Sequence, residues 1–128
     1  MTRKIKIFIL AVSIGFLSFM GKVYGFCIYN QTDKVMYVKQ VSGGRFLKSF
    51  YAELMPGQHA CCNWKNRDCN KEGKRDSIVR FNVYYKVTSK DGRRLIDKEV
   101  CHRCPIPAGG WIEIRGKYGQ LYHCVTHE

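Results

Sequence analysis

Seven cysteines carry the chemistry most available to this sequence: Cys27, Cys61, Cys62, Cys69, Cys101, Cys104 and Cys124. A thiol can bond to another thiol, hold a metal or act as a redox nucleophile, and spacing discriminates among these. Cys101-His102-Arg103-Cys104 has the spacing of a thioredoxin-type dithiol. That chemistry needs the first cysteine at a helix N-terminus, where the thiolate is stabilised. Pro105 and Pro107 deny the helix a clean start. Together with Cys61 or Cys62 and Cys69, the same motif could offer four thiolates to zinc. Tetrahedral zinc sites favour two close pairs, however, and Cys61 with Cys69 is a poor second pair. Disulfides fit best, because a short chain in an oxidising compartment pairs its cysteines. Cys61 and Cys62, being adjacent, must reach different partners, so the segment around them is a junction between distant parts of the chain. Cys27 and Cys124 lie near the two ends, and chain termini are often neighbours in space. Cys101 and Cys104 could bond to each other or reach toward residues 61–69. The odd cysteine stays unpaired or links two copies in a disulfide dimer. No metal and no cofactor is expected.

A second constellation is acid–base. Glu113, Arg115 and His123 fall near the C-terminus, with tyrosines close by. If the strands there are regular, Glu113 and Arg115 share a face and His123 sits opposite them across a hairpin. Small secreted microbial ribonucleases set carboxylate, imidazole and guanidinium on one sheet in this way, with the carboxylate and imidazole as base and acid. The same residues are also what a basic β-protein with four histidines carries by chance.

A third set could bind by charge. The chain has 22 Lys and Arg against 10 Asp and Glu, a formal net charge of +12. Lys65, Arg67, Lys71, Lys74 and Arg75 cluster after the paired cysteines, and Lys90, Arg93 and Arg94 form a second group. Arg45 and Lys48 add to them. Tyr37, Trp64 and Tyr84 are aromatics that could lie among the cations. Such a surface suits anionic membranes, acidic polysaccharide or nucleic acid; its plainer role is solubility. Asn30-Gln31-Thr32 is a glycosylation sequon, which would place Asn30 in an exposed turn.

Elements that position these groups follow from the leader onward. Residues 1–25 read as a secretory signal peptide. Arg3, Lys4 and Lys6 precede an apolar run over 7–20, and Val23 and Gly25 are small enough for a cleavage site. The run is shorter than the roughly 20 residues that span a bilayer comfortably. Residues 26–128 then form one disulfide-rich domain, too short for two cores. Strands are expected over 26–30, 35–41, 46–54, 58–64, 78–87, 93–100, 111–115 and 120–126. The clearest is 78–87, where Val79, Phe81, Val83, Tyr85 and Val87 alternate with polar residues. Asp91-Gly92 is a strong hairpin signal. No segment of the domain has helical periodicity. The architecture is therefore an all-β, antiparallel sandwich or barrel of about eight short strands, stapled by disulfides.

Cys27-Ile28-Tyr29-Asn30-Gln31-Thr32, Leu54-Met55-Pro56-Gly57, Cys61-Cys62-Asn63-Trp64 and Asp68-Cys69-Asn70 together resemble the small cysteine-rich secreted proteins of filamentous fungi. The likeness is one of style over most of the domain and implies an effector-like protein. The opening strand with its Asn-x-Thr and the Leu-x-Pro-Gly turn are also similar to thaumatin-like and pore-forming β-sandwich proteins. Thaumatin-like proteins carry more cysteines and an acidic cleft, which this sequence lacks. Neither resemblance transfers a functional residue. The reading is a secreted, extracellular binding protein with a basic surface and no catalysis, its partner an anionic surface or a host protein. The alternatives are a cationic membrane-active toxin or antimicrobial protein, and a small secreted ribonuclease.

Overall fold

The structure, a computed structural model, describes residues 25–117 and 120–128. The expected leader lies outside the described residues except for Gly25, which opens the first strand. Eight strands follow in order: β1 (Gly25–Thr32), β2 (Met36–Ser42), β3 (Tyr51–Leu54), β4 (His59–Asn63), β5 (Ile78–Thr88), β6 (Leu95–Pro107), β7 (Trp111–Gly116) and β8 (His123–His127). No helix occurs among the described residues. The strands form two four-stranded sheets with orders β4-β1-β7-β8 and β3-β2-β5-β6. All neighbours are antiparallel except β1 and β7, which run parallel. Of the all-β sandwich or barrel expected from the sequence, the chain forms the sandwich, with one parallel pair in place of a wholly antiparallel arrangement.

The two sheets bury one face each against the other. Phe26, Ile28, Ile112 and Ile114 come from the first sheet, and Met36, Val38, Val79, Phe81 and Val83 from the second; all are fully buried. Their alternation with outward residues is the period of two that strands impose. Phe26 stands at the centre, edge-on to Phe50 at 5.1 Å and to Phe81 at 4.9 Å.

Two departures from the sequence reading bear on function. The strand expected over 46–54 begins only at Tyr51; residues 43–50 form a loop. Gly43 enters it with φ of 88°, and Leu47 holds a left-handed φ of 67°, which a ladder cannot accommodate. Conversely, β6 continues through Pro105 and Pro107, although prolines interrupt regular pairing. It is an edge strand bonded only to β5, so the missing N–H groups can face away from the ladder. The pairing does break, between Phe81↔Cys104 and Val83↔Cys101. His102 and Arg103 bulge there, Arg103 at φ of 50°, and the Arg103 N–H donates to Asn82 Oδ1 at 2.8 Å. The Cys101–Cys104 pair thus sits on a bulged strand, not at a helix N-terminus.

Candidate functional site

The topology carries the β2–β3 loop (residues 43–50) and the β4–β5 loop (64–77) to the same end of the sandwich, and backbone bonds weld them together. Arg45 N donates to Asp68 O at 2.9 Å and Lys71 N to Gly43 O at 2.7 Å. Gln40, buried beneath, donates from Nε2 to Cys69 O at 2.7 Å and accepts from Phe50 N at 3.0 Å. Asn70, fully buried, donates to Trp64 O and Lys74 O at 2.8 Å each. This end therefore gathers Arg45, Lys48, Lys65, Arg67, Lys71, Lys74 and Arg75, with Asp68, Glu72 and Asp76 as the acids among them. Arg45 pairs with Asp68 at 3.8 Å, and Lys65 lies over the Trp64 ring at 5.4 Å. Lys90, Arg93 and Arg94 are not part of this group. They lie on the β5–β6 turn at the opposite end, closed by Ser89 N to Arg94 O at 2.8 Å. Tyr37 and Tyr84 stack at 5.4 Å on the outer face of the β3-β2-β5-β6 sheet, with Lys86 over Tyr37. The basic residues expected to act together thus divide between two poles.

At the tip of the first pole, Phe46 and Leu47 are 90% and 89% exposed. The sequence offers a signal for them in Arg45-Phe46-Leu47-Lys48, an apolar pair between cations, but their neighbours' β-propensity disguises it as strand.

The outer face of the other sheet holds the acid–base residues. Arg115 lies opposite His123 in the β7–β8 ladder, as the sequence suggests, and Glu113 shares their face. The guanidinium of Arg115 donates to the Glu113 carboxylate. That bond, helped by the charges of Arg115 and His127, holds the Glu113 carboxyl below its ordinary value despite some burial. His127, which the sequence reading passes over, puts Nε2 at 3.6 Å from Glu113 Oε2 and stacks on Trp111 at 4.7 Å. Counting by twos from His123 along β8 finds it. Tyr29 and His59, stacked at 5.2 Å, extend the face. The arrangement provides an ionised carboxylate beside an imidazole.

The cysteines resolve into two bridges and a cluster. Cys61 bonds to Cys27 and Cys62 to Cys69, so the adjacent pair does reach different partners. Cys27 takes Cys61, not Cys124, because β1 is flanked by β4 and β7 and does not touch β8. Cys69 staples the long β4–β5 loop. Cys101, Cys104 and Cys124 remain thiols, and Cys101 makes hydrogen-bond contact with both others. The bond from Cys104 draws the Cys101 thiol downward. Contact with Cys124 and burial outweigh it, so the thiol ends up at about 12. The bond with Cys101 and burial push Cys104 up as well. The bridges disperse the four thiols that zinc would need, and no group of three or more metal-ligating side chains is arranged around a site among the described residues.

Asn30 is not the exposed acceptor its sequon implies. It is 1% exposed, and its Nδ2 donates to Lys34 O at 2.7 Å and Leu54 O at 2.8 Å. Its Oδ1 accepts from Thr32 N and Oγ1. The atom a glycan would occupy is buried and fully used.

Comparisons with protein-family models, with curated proteins and with solved structures find no match to this chain.

Proposed function

We propose that this chain is an extracellular, disulfide-stapled binding protein that acts without catalysis, docking through the cationic pole onto an anionic partner. The observation that carries the reading is the convergence of seven cations from two loops onto one end, on a pedestal fixed by Gln40, Asn70 and the Cys62–Cys69 bridge. Fixed cations bind a polyanion with little ordering of their own loops, which removes part of the usual entropic cost of association. The two bridges fit an oxidising, extracellular setting, and the leader-like start of the chain agrees with it.

The test compares two charge-removal variants of the secreted domain on immobilised heparin and on vesicles containing phosphatidylserine. Replacing Lys65, Arg67, Lys71, Lys74 and Arg75 with serine should abolish retention at 150 mM salt. Replacing Lys90, Arg93 and Arg94 should change it little. Equal losses in the two variants would mean that net charge, not the pole, does the binding. No retention of the unmodified domain on either support would end the proposal.

The contact of Glu113 with His127 favours a second reading, a ribonuclease-type hydrolase working from the outer face of the β4-β1-β7-β8 sheet. Its signature would be RNA cleavage by the purified domain that disappears in Glu113→Gln. RNA left intact after prolonged incubation would dismiss it.

A further inference from the structure

We infer that the β2–β3 loop is a lipid-docking finger: Phe46 and Leu47 enter the hydrocarbon edge of an anionic bilayer while Arg45 and Lys48 engage its phosphates. This rests on the anionic-partner reading and names the partner. The two most exposed large apolar side chains among the described residues are adjacent, at 90% and 89% exposure. They occupy the tip of a turn closed by Lys48 N to Arg45 O at 3.1 Å and by Ser49 Oγ to Arg45 O at 2.7 Å. The left-handed Leu47 is imposed by this turn, so the pair is presented outward and does not fold back onto the sheet. Its base is fixed to the β4–β5 loop by the Arg45, Lys71 and Gln40 bonds described above. The loop therefore cannot retract without breaking them.

Charge complementarity selects the occupant. Arg45 and Lys48 flank the apolar pair in the chain, and the β4–β5 loop bonded to its base carries Lys65, Arg67, Lys71 and Lys74. Apolar anchors backed by basic residues are the arrangement that adsorbs to anionic leaflets, because hydrocarbon burial and phosphate attraction act together. Beneath the finger, a groove of about 560 Å³ lies between the end of β2 and the β2–β3 loop, where Lys39, Phe46, Leu47, Phe50 and Tyr51 are among its lining. Its lining combines this cation and these apolar side chains with the polar Gln40, Ser42 and Ser49, a mixture that suits a phospholipid headgroup and the top of its chains. A convex tip of two residues offers a protein partner far less than the roughly 800 Å² per side of a stable interface, whereas a fluid bilayer closes around it.

The experiment uses the full secreted domain with vesicles of phosphatidylcholine alone or with 30% phosphatidylserine, and heparin as an anionic probe without hydrocarbon. Phe46→Ala/Leu47→Ala should weaken binding to the phosphatidylserine vesicles at least tenfold and leave heparin binding within twofold. The indole introduced by Phe46→Trp should shift its emission to the blue on those vesicles, and brominated lipid should quench it beyond the wild-type background. Both sites are exposed, so the variants should retain the wild-type near-ultraviolet circular dichroism. Unchanged vesicle binding by the double variant, or an indole emission in Phe46→Trp that stays solvent-like, overturns the finger while the pole's affinity for heparin stands. If the unmodified domain binds neither heparin nor vesicles, the anionic-partner reading itself fails and takes the finger with it.

Discussion

The thiol of Cys101 on β6 contacts the thiol of Cys124 on β8, and the contact joins strands that belong to opposite sheets. Cys101 also contacts Cys104 three residues on. A bridge to Cys124 would lock the sheets together; one to Cys104 would close a small ring within β6. Cys101 is the common member of both, so oxidation should consume Cys101 and one neighbour and leave one thiol. Thiol counting after refolding from denaturant to equilibrium with oxidised glutathione, where the thiols are free to react, should give one free cysteine in the wild type. In Cys101→Ser it should give two, because Cys104 and Cys124 are left without their shared partner. Loss of both thiols in Cys101→Ser would show that Cys104 and Cys124 reach each other directly.

Reactivity of the reduced cluster should be low. The thiolate is the reactive form, and Cys101, held at about 12, carries almost none at pH 8. Alkylation of Cys101 and Cys104 in the folded, reduced domain should lag a model peptide thiol by about a hundredfold or more. Denaturant should restore the rate. Rapid labelling of either residue at pH 8 would contradict this environment.

Glu113 should make stability depend on acid. Its folded value lies below the ordinary 4.5, chiefly through the Arg115 bond. A depressed carboxyl stabilises the fold above its unfolded value, and that contribution is lost as pH falls through the folded one. The melting temperature should therefore drop between about pH 5 and pH 3, and Glu113→Gln should flatten part of that drop. Asp91 is depressed in the same sense by Ser89 and by the Arg93 N–H, so some slope should persist in the variant. A wild-type slope in Glu113→Gln would remove Glu113 from the account.

The aromatic centre of the core should dominate stability. Phe81 is fully buried and meets both Phe26 and Phe50. Phe81→Ala should cost about 3–5 kcal/mol in chemical denaturation, from lost transfer energy and the cavity left behind. A loss below about 1 kcal/mol would mean that the sandwich collapses freely around the site.

Asn30 should behave as a structural residue. Asn30→Ala removes two donated and two accepted hydrogen bonds and strands the buried carbonyl of Leu54. Unsatisfied buried groups of this kind cost about 1–3 kcal/mol each. The variant should be clearly destabilised, and material from a glycosylating host should have no sugar at residue 30. A glycan found there on folded protein would overturn this assignment.

Strand alternation makes most of the sandwich legible. Val79, Phe81 and Val83 point inward as their period demands, and Ile112 and Ile114 do the same. Arg115 and His123 can be paired because a hairpin fixes register locally. Residues brought together by nonlocal topology are not legible. The parallel pairing of β1 with β7 separates Cys27 from Cys124, and nothing in the spacing of those cysteines reports it. Asn30 shows the reverse limit: three residues spell an exposed sequon, while the ladder turns the side chain into the core. Phe46 reads as strand because propensity is local, and the glycine and left-handed residue that break the ladder act through geometry.

The Cys61–Cys62 peptide bond joins the two disulfides, so they draw two linked rings in the covalent chain. One spans 27–61 and contains Arg45 and Lys48; the other spans 62–69 and contains Lys65 and Arg67. Arg45, Lys48, Lys65 and Arg67 are exposed targets for a protease that cuts after basic residues; Lys71, Lys74 and Arg75 of the same pole lie outside both rings. A single cut inside either ring releases nothing, because both new ends remain tethered through sulfur. A nick at any of the four enclosed residues leaves the pole in one piece, with the damage visible on a gel only after reduction. The same sulfurs that shape the loops thus keep a chain cut inside either ring joined.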